Sequence, residues 1–414
     1  MRKKIIVRGP VLSQSGYGEQ SRFAIRALRA HEDKFDIHII PVGWGQTGWL
    51  AETSEERRWL DYIIDKTNHA ISNKILFDAS LQITIPNEWE PLAPINIGWT
   101  AGIESTKIDP VWIDKATIMD KILVVSNHAK HGFDNTVWTG KDQHGNKMSI
   151  RNEVPVETVN YAVRKWEPSE VDIDFDYDFN FLSVAQWGPR KNLINTVKWF
   201  VEECHDRKVG LILKANIRKN CLMDRIETQK KIKAVLDAYE NRECKVYLIH
   251  GDMDQGELAA LYEHPKVKCL VSLSHGEGFG LPIFEAVCHG LPVMAPDWGG
   301  QCDFLYGPVK VGKKTKMKPL FSRVSYAIAP IQDFAHWEGV LHPESMWCYP
   351  EQGDFKMKLR NMISKYDKHL KNAKVLQEYV LEEFAAEKQY QKFADAVWEV
   401  FDSSSQSSVV KVFG

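Results

Sequence analysis

The chain has 414 residues, more than one ordinary hydrophobic core organises, so two domains are the starting expectation. Hydrophobic residues make up 44% and charged ones 26%, the balance of a globular protein, and no apolar run approaches the roughly 18 residues that suggest a membrane span. A formal net charge of -2 supplies no global field for nucleic acid or an anionic membrane.

The N-terminus opens with positive charge, but its apolar run is too short for a signal-peptide core, and a cytoplasmic protein is expected. The seven cysteines are scattered and form no CxxC pair, which points to reduced thiols rather than a disulfide framework or a zinc knuckle.

Lys4 to Arg8 reads as a short strand, GPVLSQSGYG as a glycine-containing loop, and Glu19 to Arg29 as a helix whose Phe23, Ala24, Ala27 and Leu28 recur at helical spacing. Further strands are expected at Asp36 to Pro41, Leu81 to Pro86, Ile95 to Thr100 and Lys121 to Ser126. An acidic stretch, EPSEVDIDFDYD, reads as a linker and puts a domain boundary near residues 162 to 178.

A second series follows: strands at Phe179 to Ala185, Val209 to Leu213, Lys245 to His250, Val267 to Leu273 and Leu291 to Ala295. Alternation of this kind predicts an α/β protein with parallel sheets covered on both faces. Val375 to Phe401 carries one long amphipathic helical pattern, and SSSQSSVVKVFG reads as a mobile tail.

The segment SHGEGFGLPIFEAVCHGLPVMAPDWGG, Ser274 to Gly300, runs from a buried strand through a glycine-rich turn into a helix. Gly276, Gly278 and Gly280 allow close backbone approach to a ligand, and Pro282 suits the first helical position. A helix start with free N–H groups is a ready diphosphate site. Glu285 is expected in the first turn, reaching ribose hydroxyls past the phosphates, and Glu277 in the loop before it, on the sugar side.

This segment resembles the EX7E signature of the retaining GT4 glycosyltransferases, with Glu277 and Glu285 as the two glutamates; the likeness extends through EGFGLPIFEA and Gly-Leu-Pro-Val to the later Gly-Gly. FLSVAQWGPRKN and GLILKAN resemble the first two strands of the family's C-terminal domain, the second ending near a phosphate-contacting lysine, here Lys214. Where many members carry an arginine this chain has Gln186, with Arg190 and Lys191 as replacements or as ordinary helix-start charges. The loop Gly9 to Gly18 resembles the first glycine-rich loop but lacks a third glycine, and WTAGIESTKIDPVWI, ILVVSNHAKHGF and VNYAV follow the family's N-terminal order.

The resemblance implies the GT-B fold: two Rossmann-like doubly wound domains facing a central cleft, with a C-terminal helix crossing back to the N-terminal domain. It implies an acceptor domain over residues 1–165, a nucleotide-sugar domain over 166–385, and a returning helix and tail over 386–414. The implied activity is retaining, metal-independent transfer from a UDP- or GDP-linked sugar to the hydroxyl of a glycan, lipid or other acceptor, with no further cofactor. The implied catalytic residues are Glu277, Lys214 and Arg190; the donor-binding set is Gly16, Gly18, Gln186, Lys191, Gly278, Phe279, Gly280, Leu281, Pro282 and Glu285.

His128 and His131 lack companions at ligand spacing, and metal independence stays what the resemblance implies. Lys310, Lys313, Lys314, Lys316 and Lys318 crowd into one segment, read as a solvated loop or hairpin, or else as a contact for an anionic acceptor such as lipid phosphate, acidic glycan or DNA. Three alternatives stay open: an enzyme of the same fold with different chemistry, such as a sugar-nucleotide epimerase or a phosphorylase; a non-catalytic nucleotide- or glycan-binding protein of the same fold, favoured only by Gln186; and a glycosyltransferase acting on modified bases in DNA, motivated only by the lysine-rich segment.

Overall fold

A computed structural model describes residues 2–45, 48–50, 53–141 and 145–407, so the tail expected to be mobile lies mostly outside the described residues. The chain divides into two compact units. The first takes residues 1–162, 336–345 and 384–414, and the second 163–335 and 346–383.

The first unit is built from β1 (Lys3–Gly9), α1 (Gly16–Arg29), β2 (Phe35–Pro41), α2 (Glu55–Ser72), β3 (Ala79–Gln82), β4 (Ile95–Thr100), α3 (Pro110–Ala116), β5 (Lys121–Val124), α4 (Asn127–Asn135), the antiparallel pair β6 (Val137–Lys141) and β7 (Lys147–Arg151), and β8 (Val156–Thr158). Six of these strands form one parallel sheet in the order β2-β1-β3-β4-β5-β8. Ile5, Ile6 and Val7 are all buried. Neighbouring strand residues face opposite ways, so this sheet is covered on both sides, as a parallel sheet with crossover helices must be.

The second unit repeats the scheme with β9 (Asn180–Gln186), α5 (Leu193–Cys204), β10 (Gly210–Asn216), α6 (Leu222–Leu236), β11 (Lys245–Ile249), α7 (Gln255–Glu263), β12 (Val267–Val271), α8 (Leu281–Cys288) and β13 (Val293–Pro296). Then come the antiparallel hairpin β14 (Tyr306–Val311) and β15 (Lys314–Pro319), β16 (Ser322–Val324), the antiparallel pair β17 (Tyr326–Pro330) and β18 (Met346–Pro350), and helices α9 (Gln352–Ser364) and α10 (Tyr366–Glu383). Its parallel sheet runs β11-β10-β9-β12-β13-β16. Counted from β9 within that sheet, this is the Rossmann strand order. Strand order reverses between β9 and β12.

The last helix, α11 (Ala386–Ser407), belongs to the first unit. Its Phe393 packs edge-on to Phe23 at 5.7 Å and lies 4.8 Å from the Trp99 ring, and Trp398 meets Phe35 at 5.8 Å. The Lys121 ammonium, nearly buried, donates to the Ala396 carbonyl at 3.0 Å and pairs with Glu399 and Glu157, each at 2.7 Å.

Three sequence expectations need correction. The helix expected over Val375 to Phe401 is two helices, α10 and α11, separated at Phe384 and Ala385. The strand expected over Leu81 to Pro86 begins and ends earlier, at Ala79 and Gln82, because Pro86 opens a short 3-10 turn. Residues 336–345, expected in the second domain, pack with the first unit: Asn87 donates to the Gly339 carbonyl at 2.8 Å, and the Ser105 and Ser345 hydroxyls meet at 3.2 Å.

Candidate active site

The loops at the strand-order reversal of the second unit are stitched together by hydrogen bonds. Asn192, in the left-handed region at φ 53°, starts α5 and donates from its side chain to the Leu273 carbonyl at 3.1 Å. The His275 amide donates to the Arg190 carbonyl at 2.7 Å. The loop after β9 and the loop after β12 are therefore one construction, placed where open α/β sheets bind ligands.

The turn into α8 depends on glycine at specific points. Gly280 caps the helix with φ 92°, a conformation L side chains rarely adopt, and leaves the first turn of α8 without a side-chain cap. The Gly300 amide donates to the Glu277 carbonyl at 2.7 Å, and a Cβ on Gly300 would stand 1.9 Å from the Gly278 oxygen. The second glycine pair, Gly299 and Gly300, thus lets one backbone segment lie flat against the 277–279 turn.

Glu277 is 7% exposed, and its two oxygens are taken by two cations: Lys191 Nζ at 2.5 Å and Arg190 Nη1 at 3.3 Å. Arg190 also donates to the Gly276 carbonyl at 2.6 Å. Burial pushes the Glu277 carboxyl up, but the charges of Lys191 and then Arg190 outweigh it and hold it below its ordinary value. Glu277 is thus a buried carboxylate kept ionised beside two cations at the mouth of a helix start.

Glu285 is 6% exposed and lies in the second turn of α8, not in the first turn where the sequence placed it, since the helix begins at Leu281. Pro282 is accordingly the second helical residue rather than the first. The Arg164 Nε sits 2.7 Å from one Glu285 oxygen, and the Tyr262 hydroxyl donates to the other at 2.9 Å. Burial, then the Glu285 charge, pushes the Tyr262 phenol well above its ordinary value, so it stays a donor. The Arg164 guanidinium also covers the Trp166 ring at 4.9 Å.

Lys214 stands two residues before the end of β10, one strand away from β9 on the side opposite β12. It donates to the Gly251 carbonyl at 2.5 Å, and burial lowers its ammonium pKa. Gln186 is exposed at the end of β9 and donates to the Ile217 carbonyl at 2.9 Å. Gly16 and Gly18 belong to the first unit, in the opening turn of α1, where the Ser15 hydroxyl caps the Gly18 amide at 3.0 Å. A Cβ at Gly18 would collide with the Ser13 carbonyl at 1.9 Å, whereas at Gly16 it would meet open space.

The structure therefore brings Arg190, Lys191 and Glu277 together with the turn through Gly278, Phe279, Gly280, Leu281 and Pro282, and it holds Glu285 in the same helix. Arg164 and Tyr262 were not singled out from sequence. Arg164 lies in the expected boundary zone just before the acidic linker and Tyr262 inside a helix of no marked pattern, and neither carries a motif.

Residues 174–306 match the family model of glycosyl transferases group 1. The match covers β9 through β13 and stops at the first residue of β14. A search of curated proteins finds no match.

Among solved structures, the chain is similar to HepE of Anabaena in complex with UDP and glucose, at 14% identity over 96% of this chain and 100% of that one, TM-score 0.60. It is similar to sucrose-phosphate synthase from Thermosynechococcus elongatus, at 13% identity over 97% and 100%, TM-score 0.62. A glycosyltransferase from Rickettsia africae gives 15% identity over 97% and 99%, TM-score 0.61. At these identities the likeness shows the fold: two parallel-sheet Rossmann-like α/β domains, as in GT-B glycosyltransferases. Among the described residues no helix is long and apolar enough to cross a membrane.

Proposed function

We propose that this protein is a retaining, GT4-like glycosyltransferase that moves a sugar from a nucleoside diphosphate to an acceptor hydroxyl without a catalytic metal. The observation that carries the reading is the buried, ionised Glu277 beside Lys191 and Arg190 at the glycine-capped start of α8, with a second buried carboxylate, Glu285, eight residues on. A glycosyl transferases group 1 match over the same residues supports it.

Transfer breaks the bond between the anomeric carbon and the β-phosphate oxygen and forms one from that carbon to the acceptor oxygen. The acceptor's proton passes to the departing phosphate, so no dedicated side-chain base is needed. Negative charge grows on the β-phosphate, and fixed cations and helix-start amides aimed at it lower the barrier without reorganising. Arg190, Lys214 and the α8 start serve that charge. Glu277 and the amides around Phe279 and Gly280 hold sugar hydroxyls, and Glu285 holds the ribose. The UDP–glucose family of donors comes first among candidates because the HepE structure contains UDP and glucose.

Nucleoside diphosphate release from a panel of UDP-, GDP- and ADP-sugars, comparing wild type with Glu277→Gln and Lys214→Ala, tests the reading. Release from one donor that both substitutions suppress supports it. Nucleotide binding without turnover of any donor, with any acceptor supplied, returns the protein to the non-catalytic alternative that Gln186 favours.

A further inference from the structure

Residues 304–332 contain six cations and no carboxylate: Lys310, Lys313, Lys314, Lys316, Lys318 and Arg323. Arg323 reaches Asp297 at 3.3 Å. The five lysines lie on the β14–β15 hairpin, all exposed, and none meets a carboxylate among the described residues. Among the described residues the hairpin strands pair only with each other, and the group 1 family match ends at the first residue of β14.

Its base is fixed. The Tyr306 hydroxyl bonds to Asp297 at 2.7 Å, and a Cβ on Gly307 would meet Leu320 at 2.6 Å and Leu376 at 3.5 Å. Beyond that anchorage, residues 310–318 are all exposed.

The register shows how the charge is distributed. Lys314, Lys316 and Lys318 share one face at intervals of about 6.8 Å, opposite Val311, Val309 and Gly307. Lys310, paired with Thr315, lies on the other face with Met317, and Lys313 sits in the turn beside Gly312. Val311 is 39% exposed and Met317 52%. The result is a two-stranded ribbon with cations on both faces and at its tip.

We propose that this hairpin is a docking element for duplex DNA, entering the major groove. A groove about 12 Å wide admits a two-stranded ribbon, and its two phosphate walls answer cations on both faces. An anionic membrane surface is a single plane of charge, which the Lys314, Lys316 and Lys318 face can meet only by leaving the Lys310 face in solvent. A single anionic strand offers one line of charge and leaves the Lys310 face without a partner. The A-form groove of duplex RNA is too deep and narrow for a ribbon. Near-neutral net charge over the whole chain makes this a local attraction, carried by the hairpin rather than by the protein's overall field.

The test is a fluorescence-anisotropy titration of the full chain with a short mixed-sequence DNA duplex across a salt series. If all five lysines engage, log K should fall with log salt at a slope of about −4.5, and Lys314→Gln with Lys316→Gln should reduce the slope by about 1.8. Reversal of the same two residues to glutamate should abolish binding at moderate salt while leaving nucleotide release from the donor sugar unchanged. Glu277→Gln should bind DNA like wild type, which keeps this proposal separable from the sugar-transfer reading. Absence of binding at low salt, a slope unmoved by the hairpin substitutions, or binding to vesicles of anionic phospholipid but not to DNA would each overturn it.

Discussion

Replacing Lys191 by methionine removes one of the two cations that hold Glu277, keeps the apolar stem, and leaves a nearly buried carboxylate leaning on Arg190 and the Ser274 hydroxyl. Breaking a buried ion pair from one side costs about 3–5 kcal/mol when the remaining charge is left without a partner. Arg190 stays at 3.3 Å and the Lys191 side chain is 18% exposed, so only part of that is expected: about 1–3 kcal/mol at neutral pH by urea unfolding.

The pH dependence fixes the cause. The Glu277 carboxyl is held below its ordinary value when folded, so its ionic contribution is complete above the unfolded value of roughly 4.3 and is lost as pH falls through the folded one. Without Lys191 the upward push of burial is less opposed and the folded value rises. The gap between wild type and Lys191→Met should be full near pH 7 and close in acid. A double-mutant cycle with Glu277→Gln should recover a coupling of about 1–2 kcal/mol. Additivity within about 0.3 kcal/mol, or a gap that persists unchanged into acid, refutes the reasoning.

Gly300→Ala should cost about 2–4 kcal/mol and abolish donor turnover, because the new Cβ overlaps the Gly278 carbonyl; Gly16→Ala, with open space around it, should stay near wild type in thermal unfolding. Lys214 is a lysine whose folded pKa is depressed by burial, so its charged form opposes folding at pH values below that folded value and ceases to do so only in alkali. Lys214→Met should therefore be neutral or slightly stabilising in denaturant titrations while turnover falls about 10²-fold, a combination that a purely structural lysine would not give. Arg164→Ala should weaken nucleotide binding about tenfold by calorimetry with little change in turnover at saturation, since it frees the Glu285 carboxylate from one of its two fixed partners. Equal affinity in wild type and variant would sink that assignment.

Much of the fold was legible because parallel strands buried on both faces announce themselves as short apolar runs. The strand read at Lys4 to Arg8 and that at Phe179 to Ala185 differ from β1 and β9 by a residue at each end. Where the signal failed, the residues explain it. Ala79 and Ser80 begin β3 without an apolar cue, and neither glycine nor proline marks the break at Phe384 and Ala385 between α10 and α11.

At the site, glycine spacing and the two glutamates were visible in sequence. That Arg190 and Lys191 turn toward Glu277 was not, because the contact spans loops more than 80 residues apart and depends on Asn192 and His275 tying those loops together. Arg164 and Tyr262 were invisible for the same reason: nothing local distinguishes an arginine that will cover a distant carboxylate from one left in solvent.

The placement of α11 reverses the order in which the polypeptide can mature. Phe23 and Trp99 are covered by Phe393, which the ribosome delivers only after every strand of the second sheet has already emerged. The later-synthesised unit can thus consolidate first, while the earlier one waits with an aromatic surface uncovered. No single cut separates the two: a fragment ending before residue 384 would carry an intact second sheet and a first one stripped of its closing helix.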